Sequence, residues 1–131
     1  MAVVAAVESV HVPRLVTVPG DLLIRDNPQL AALVSLEAIE TVGGSVDLSF
    51  NPSLGDFYQL VLLESVGGDL TISNNAAMVG VYGFNTLARV DGDLVLVLDP
   101  ELTEIASFGA LTTVGGSLVI GDHPKLTSVR G

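Results

Sequence analysis

The sequence predicts a mainly β protein, a parallel β-solenoid of about five coils of 24 residues each. Three observations carry this expectation. A glycine recurs at Gly20, Gly44, Gly68, Gly92 and Gly116, always 24 residues apart. Two apolar residues alternate behind each one: Leu22/Ile24, Val46/Leu48, Leu70/Ile72, Leu94/Leu96 and Leu118/Ile120. A turn pair then follows at a fixed distance: Asn27-Pro28, Asn51-Pro52, Asn75-Ala76, Asp99-Pro100 and His123-Pro124. A unit this short cannot enclose its own apolar face, so the units must stack and share one core.

Each part of the unit has a local reason. Alternation of apolar and other residues is the period of a short half-buried strand. Proline fixes φ, and Asn or Asp bonds the nearby backbone, so the chain bends after the strand. Apolar residues then fall at every third position: Leu30, Leu33, Leu36, Ile39 and Val42, then Leu54, Phe57, Leu60, Leu63 and Val66. A period of three suits short extended or 3₁₀ segments better than a long helix, with a brief helical turn at 35–40 as the alternative. The glycine column requires either a positive φ or close backbone approach. Every strand enters at the same phase, so the sheet is parallel, and five strands at strand spacing give a rod roughly 24 Å long. The Asn column points its amides along the stack. The single domain covers 1–131, with 1–16 as an N-terminal cap or partial coil and 17–131 as five units, the last truncated.

The pattern Leu-x-Ile-x-x-Asn-Pro-x-Leu resembles the strand and asparagine-ladder segment of leucine-rich repeats. With the preceding Val66-Gly67-Gly68-Asp69, it is similar to the receptor L-domain type. The likeness spans 17–131. It implies a right-handed solenoid and a non-catalytic binding or structural module, extracellular or at the cell surface. Three features depart from the family pattern: Cys-rich caps are absent, Ala76 replaces the turn proline, and Asp99 and His123 replace the ladder asparagine, weakening the ladder towards the C-terminal end.

Composition narrows the function. The 131 residues carry a net charge of −10 and are 49% apolar, with no Cys. Excess carboxylate repels phosphate, which argues against nucleic acid and anionic membrane. Without Cys there is no disulfide framework and no thiolate zinc site. No apolar run reaches the length of a membrane span. The opening 1–7 is apolar but lacks a basic flank, so it does not read as a signal peptide. No nucleophile elbow, P-loop or His-Glu-x-x-His motif occurs, so no catalytic residue, cofactor or enzyme activity is expected. Of the two histidines, His11 and His123, the second stands at the turn phase and is expected to bond backbone.

The remaining candidates concern binding. Asp69 and Asp93 lie one coil apart, with carboxylates about 5 Å from each other, a weak site for a hard cation such as Ca²⁺. The bland reading has each Asp bonding a corner N–H. Outward strand positions read Leu23/Arg25, Asp47/Ser49, Thr71/Ser73, Val95/Val97 and Val119/Gly121. Val95, Val97, Leu98 and Val119 therefore form an expected apolar outer patch, of the kind that marks interfaces. Tyr58 and Tyr82 share one phase and are expected to stack, as packing or as a surface for sugar or protein. Regular Thr columns, which ice binding would use, are missing: only Thr71 stands on the strand face. The last strand, 117–121, is uncharged, and an open edge templates pairing with another chain. The main expectation is a module that associates with itself end to end and through the outer patch, in the manner of a filament. The alternative is a monomeric recognition module for protein or glycan on the strand face.

Overall fold

In the computed structural model, residues 2–4, 9–11, 15–34 and 36–131 are described. Among them there is no helix; all regular structure is short strand. The chain winds as a parallel β-solenoid with three strand faces. The first face holds β1 (Ala2–Val4), β4 (Leu22–Ile24), β7 (Val46–Ser49), β9 (Leu70–Ser73), β12 (Leu94–Val97) and β15 (Leu118–Gly121), in that order. The second holds β3 (Thr17–Val18), β6 (Thr41–Val42), β8 (Ser65–Val66), β11 (Arg89–Val90) and β14 (Thr113–Val114). The third contains β2 (Ser9–His11) with β5 (Ala32–Val34), then β10 (Gly80–Val81), β13 (Glu104–Ala106) and β16 (Ser128–Arg130). Between its two parts, Phe57 makes a single parallel bridge to Val81.

The register is the sequence period. Leu22 pairs with Val46, Val46 with Leu70, Leu70 with Leu94 and Leu94 with Leu118. These residues form one file, internal from Leu22 to Leu94. Adjacent files hold Ile24, Leu48, Ile72 and Leu96, and Val18, Val42, Val66 and Val90, all at most 2% exposed. Each such side chain gains roughly 1.5–3 kcal/mol by leaving water. The period-three residues 30, 33, 36 and 39 and their successors line the rest of the core. Inside it, Phe57, Phe84 and Phe108 stack in succession, with centroids 5.1 and 5.4 Å apart. The helical alternative at 35–40 is not adopted: Glu37 and Ala38 form a turn closed by Ile39 N–H to Leu36 O at 3.3 Å, while Ser35 lies outside the described residues.

Two columns of corners use the left-handed backbone region, and among the described residues no glycine occupies them. One is the column Asp26, Phe50, Asn74, Leu98 and Asp122; the other is Leu60, Phe84 and Phe108, with φ between 56° and 67° throughout. Left-handed backbone costs a bulky residue about 1–2 kcal/mol, offset in the second column by core burial. The glycine column therefore serves close approach alone. A Cβ on Gly44, Gly92 or Gly116 would collide with Oδ1 of Asp21, Asp69 or Asp93 in the coil before.

At the N-terminal end, β1 pairs with β4 and β2 with β5. The segment 1–16 thus includes two strands laid over the first coil, and Leu22, Ile24 and Leu30 beneath are 1% exposed or less.

Candidate interaction surface

The corner behind the glycines is a ladder of side-chain acceptors. Asp21 Oδ1 accepts the Ser45 N–H at 2.8 Å and Ser45 Oγ accepts the Asp69 N–H at 3.0 Å. Asp69 Oδ1 accepts the Asp93 N–H at 2.8 Å, and Asp93 Oδ1 accepts the Ser117 N–H at 2.7 Å. Asp69 and Asp93 are therefore committed to the backbone of the next coil. Among the described residues no cluster of three or more His, Asp or Glu is arranged to hold a metal.

The turn column is a second ladder, buried rather than exposed. Asn51 Oδ1 accepts the Asn27 N–H, Asn75 Oδ1 the Asn51 N–H and Asp99 Oδ1 the Asn75 N–H, at 3.3, 3.1 and 2.8 Å. Each amide also donates backwards: Asn51 Nδ2 to Ile24 O at 2.8 Å and Asn75 Nδ2 to Leu48 O at 2.9 Å. His123 reproduces both contacts. With its proton on Nε2 the ring donates to Leu96 O at 2.8 Å, and Nδ1 accepts the Asp99 N–H at 3.4 Å. His123 thus continues the ladder, with the longest N–H contact of the column. Asp99 is the imperfect rung. Its Oδ2 is buried with no partner, because a carboxylate has no hydrogen to donate. Burial pushes its carboxyl above the ordinary aspartate range, while the bond from the Asn75 N–H and the nearby His123 act the other way.

Tyr58 and Tyr82 stack as expected, with centroids 4.8 Å apart and planes 18° from parallel. Tyr58 is 58% exposed. The Tyr82 hydroxyl donates to Glu104 Oε2 at 3.2 Å. Desolvation, that hydrogen bond and the charges of Glu104 and Asp56 raise the phenol above its usual value. The pair is a flat aromatic surface bordered by carboxylates.

The expected outer patch is uneven. Val95 and Val119 are register partners on neighbouring strands. Val95 and Val97 are partly buried, whereas Leu98 and Val119 are exposed. The larger apolar exposure lies elsewhere, at residues the sequence pattern assigns to the core. Leu118, Ile120 and Val129 are 58%, 39% and 58% exposed, although Leu94, Leu96 and Ile105 one coil earlier are at most 1% exposed. With Leu94, Phe108 and Leu111 they line an open cavity of about 220 Å³ at the C-terminal end. Periodicity alone could not reveal this, because it assigns every copy of a position the same surroundings.

The backbone of that end is open as well. Leu94 N–H donates to Ser117 O and Leu98 N–H to Gly121 O, at 2.9 and 3.3 Å. The odd-numbered residues of β15 thus face β12. Leu118 and Ile120 turn their N–H and C=O groups to the opposite, unpaired side. β15 is the terminal strand of its sheet.

Among the described residues no helix is long and apolar enough to cross a membrane. In comparison with known proteins, the chain matches no family model, no curated protein and no solved structure.

Proposed function

We propose that this chain is a non-catalytic structural and interaction module, displayed extracellularly or at a cell surface, that associates through the C-terminal end of its solenoid. The observation that carries the reading is the exposure of Leu118, Ile120 and Val129 where the previous coil buries the same positions. An apolar face of this kind is the signature of an interface, and the unpaired β15 edge adds directional hydrogen bonding to it. The partly buried Val95 and Val97, with the exposed Leu98 and Val119, carry the apolar surface from this end onto the first strand face. The ladder of Asn27, Asn51 and Asn75 supports assigning the coil to the leucine-rich, receptor L-domain kind, and that kinship supports the location. Partners are copies of this chain or another protein. The carboxylate-rich surface disfavours nucleic acid.

Sedimentation velocity across a wide concentration range tests the reading. Wild type is expected to exceed the monomer mass, and Leu118→Lys with Ile120→Lys to return it to the monomer while the strand signal in circular dichroism is kept. A wild-type chain that stays monomeric throughout would refute association through this end.

A second reading has its own support in the Tyr58–Tyr82 stack: a monomeric recognition module taking a glycan or protein group on the aromatic surface. Glycan-array binding lost on Tyr58→Ala, with the chain monomeric, would favour it over the first.

A further inference from the structure

We infer that the Tyr58 surface on the third strand face docks an arginine side chain of a partner protein, its guanidinium lying on the ring and pairing with Asp56. The inference rests on the aromatic-surface reading above and deepens it by naming the group that the surface takes.

The sequence builds this surface on two outward phases. Asp56/Tyr58, Gly80/Tyr82, Glu104/Ala106 and Ser128/Arg130 stand side by side in successive coils. Between them, Phe57, Val81 and Ile105 are at most 1% exposed. Strand alternation therefore turns the flanking pairs outward. Gly80 is the enabling residue, because a Cβ there would collide with the Tyr82 ring. Without one, that ring folds back over position 80, between the coil of Asp56 and the coil of Glu104. The Tyr58 ring stacks against it from the preceding coil.

The two halves of the surface share one chemistry and differ in one part. In the first half, the Tyr82 hydroxyl donates to Glu104 Oε2 and the Arg130 guanidinium pairs with Glu104 Oε1. Ring, carboxylate and guanidinium are all present. In the second half, Tyr58 supplies the ring and Asp56 the carboxylate. Asp56 Oδ1 accepts the Gly80 N–H at 2.9 Å, which fixes the carboxylate beside the rings. Among the described residues no cation pairs with it. Arg25, Arg89, Lys125 and Arg130 are each committed to other carboxylates, and Arg14 lies outside the described residues.

Charge and shape select the occupant. Beside desolvation and the Glu104 hydrogen bond, the charges of Glu104 and Asp56 raise the Tyr82 phenol. The potential over the rings is thus negative, which attracts a cation, and the face of a tyrosine ring binds one. Arginine suits the site better than lysine. Its planar guanidinium lies flat on an aromatic ring while its N–H groups reach a carboxylate, as Arg130 already reaches Glu104. Tyr58 is 58% exposed on an open strand face. A protein surface covers such a face, whereas a small free cation leaves it in water.

The chain has two tyrosines and no tryptophan, so its tyrosine fluorescence reports on this surface alone. The probe is a capped Gly-Arg-Gly peptide, compared with its neutral citrulline counterpart. At about 0.15 M salt, diffuse attraction to the acidic chain is screened beyond roughly 8 Å. The arginine peptide is expected to change the fluorescence saturably and to bind about tenfold more tightly than the citrulline peptide. Tyr58→Ala and Asp56→Asn should each weaken it about two- to fivefold; the asparagine keeps the acceptor for Gly80 and loses only the charge. Asp91→Asn, the same charge change at a distant corner, should leave binding unchanged. Equal binding of both peptides, lost on Tyr58→Ala, overturns the inference and leaves the aromatic-surface reading standing. So does Tyr58-dependent glycan binding with no response to the arginine peptide. Equal weakening by Asp91→Asn and Asp56→Asn overturns the inference by showing diffuse attraction. Absence of Tyr58-dependent binding to either peptide or any glycan overturns both the inference and the reading beneath it. The arginine–citrulline comparison uses wild type and holds even if a variant folds poorly.

Discussion

Leu22 and Leu118 are the same amino acid at the same point of the repeat, facing the same side of the same sheet. Leu22 is 1% exposed and Leu118 is 58% exposed. The difference lies entirely in the neighbour. β1 and β2 lie over the first coil, and no described strand lies over the last. In a solenoid, burial belongs to the interface between coils and not to the coil itself. Composition and pattern can be identical at two ends that behave as opposites.

Substitutions away from the open end calibrate this contrast. The largest effect is expected from Phe84→Ala, which removes the middle ring of the three-ring stack and leaves a cavity; about 3–5 kcal/mol should be lost in urea unfolding. Phe108→Ala at the half-covered end of the stack should cost clearly less. Next come the glycines. Gly92→Ala drives a Cβ into Asp69 Oδ1, and about 1–3 kcal/mol of destabilisation is expected. Gly121→Ala, which meets nothing within 4 Å, should change stability by less than about 0.5 kcal/mol. A cost at Gly121 matching that at Gly92 would mean the C-terminal coil is packed after all.

Asp99 offers a change in the opposite direction. Its folded carboxyl holds a proton at higher pH than the unfolded chain does. The folded state thus binds more protons in the window just above the ordinary aspartate value of 3.8, and stability falls as pH rises through the raised folded value. Asp99→Asn restores the donor that Asn75 aims at Leu48 O, one coil later towards Ile72 O. A gain of about 1–2 kcal/mol at neutral pH is expected, together with a flatter pH profile of the melting temperature. Unchanged stability at neutral pH would show that the buried Oδ2 is satisfied in solution. The smallest effect belongs to the surface pair Lys125–Glu101, 2.7 Å apart with both side chains about half exposed. Lys125→Ala should cost under about 0.5 kcal/mol by the same unfolding assay.

Much of the fold was legible in the sequence because its register is written without insertion. Gly20 to Gly116 set the coil length, and Leu22/Ile24 and their copies set the inward face. The Asn27 column revealed its ladder, and Tyr58 and Tyr82 revealed their stack by sharing a phase. Other features needed coordinates. The glycines allowed two physical explanations, and only the position of the Asp21, Asp69 and Asp93 carboxylates chooses close approach. The left-handed corners sit on Phe50, Leu60, Phe84, Leu98 and Phe108, residues whose side chains give no local hint of that backbone. His123 was expected to bond backbone, but that its two ring nitrogens imitate the asparagine amide needed coordinates. The uncharged strand 117–121 was expected to be an open edge, but the exposure of Leu118, Ile120 and Val129 was not legible: a repeat describes what each coil offers, and not whether anything receives it.

The most direct test of the central claim is a Leu→Ala series down the single file at positions 22, 70, 94 and 118, with urea unfolding measured at dilutions where the chain is monomeric. Losses of about 2–5 kcal/mol are expected at Leu22, Leu70 and Leu94, and under about 1 kcal/mol at Leu118. An equal loss at all four positions would contradict an open C-terminal end, and a negligible loss at Leu70 would contradict the stacked file itself.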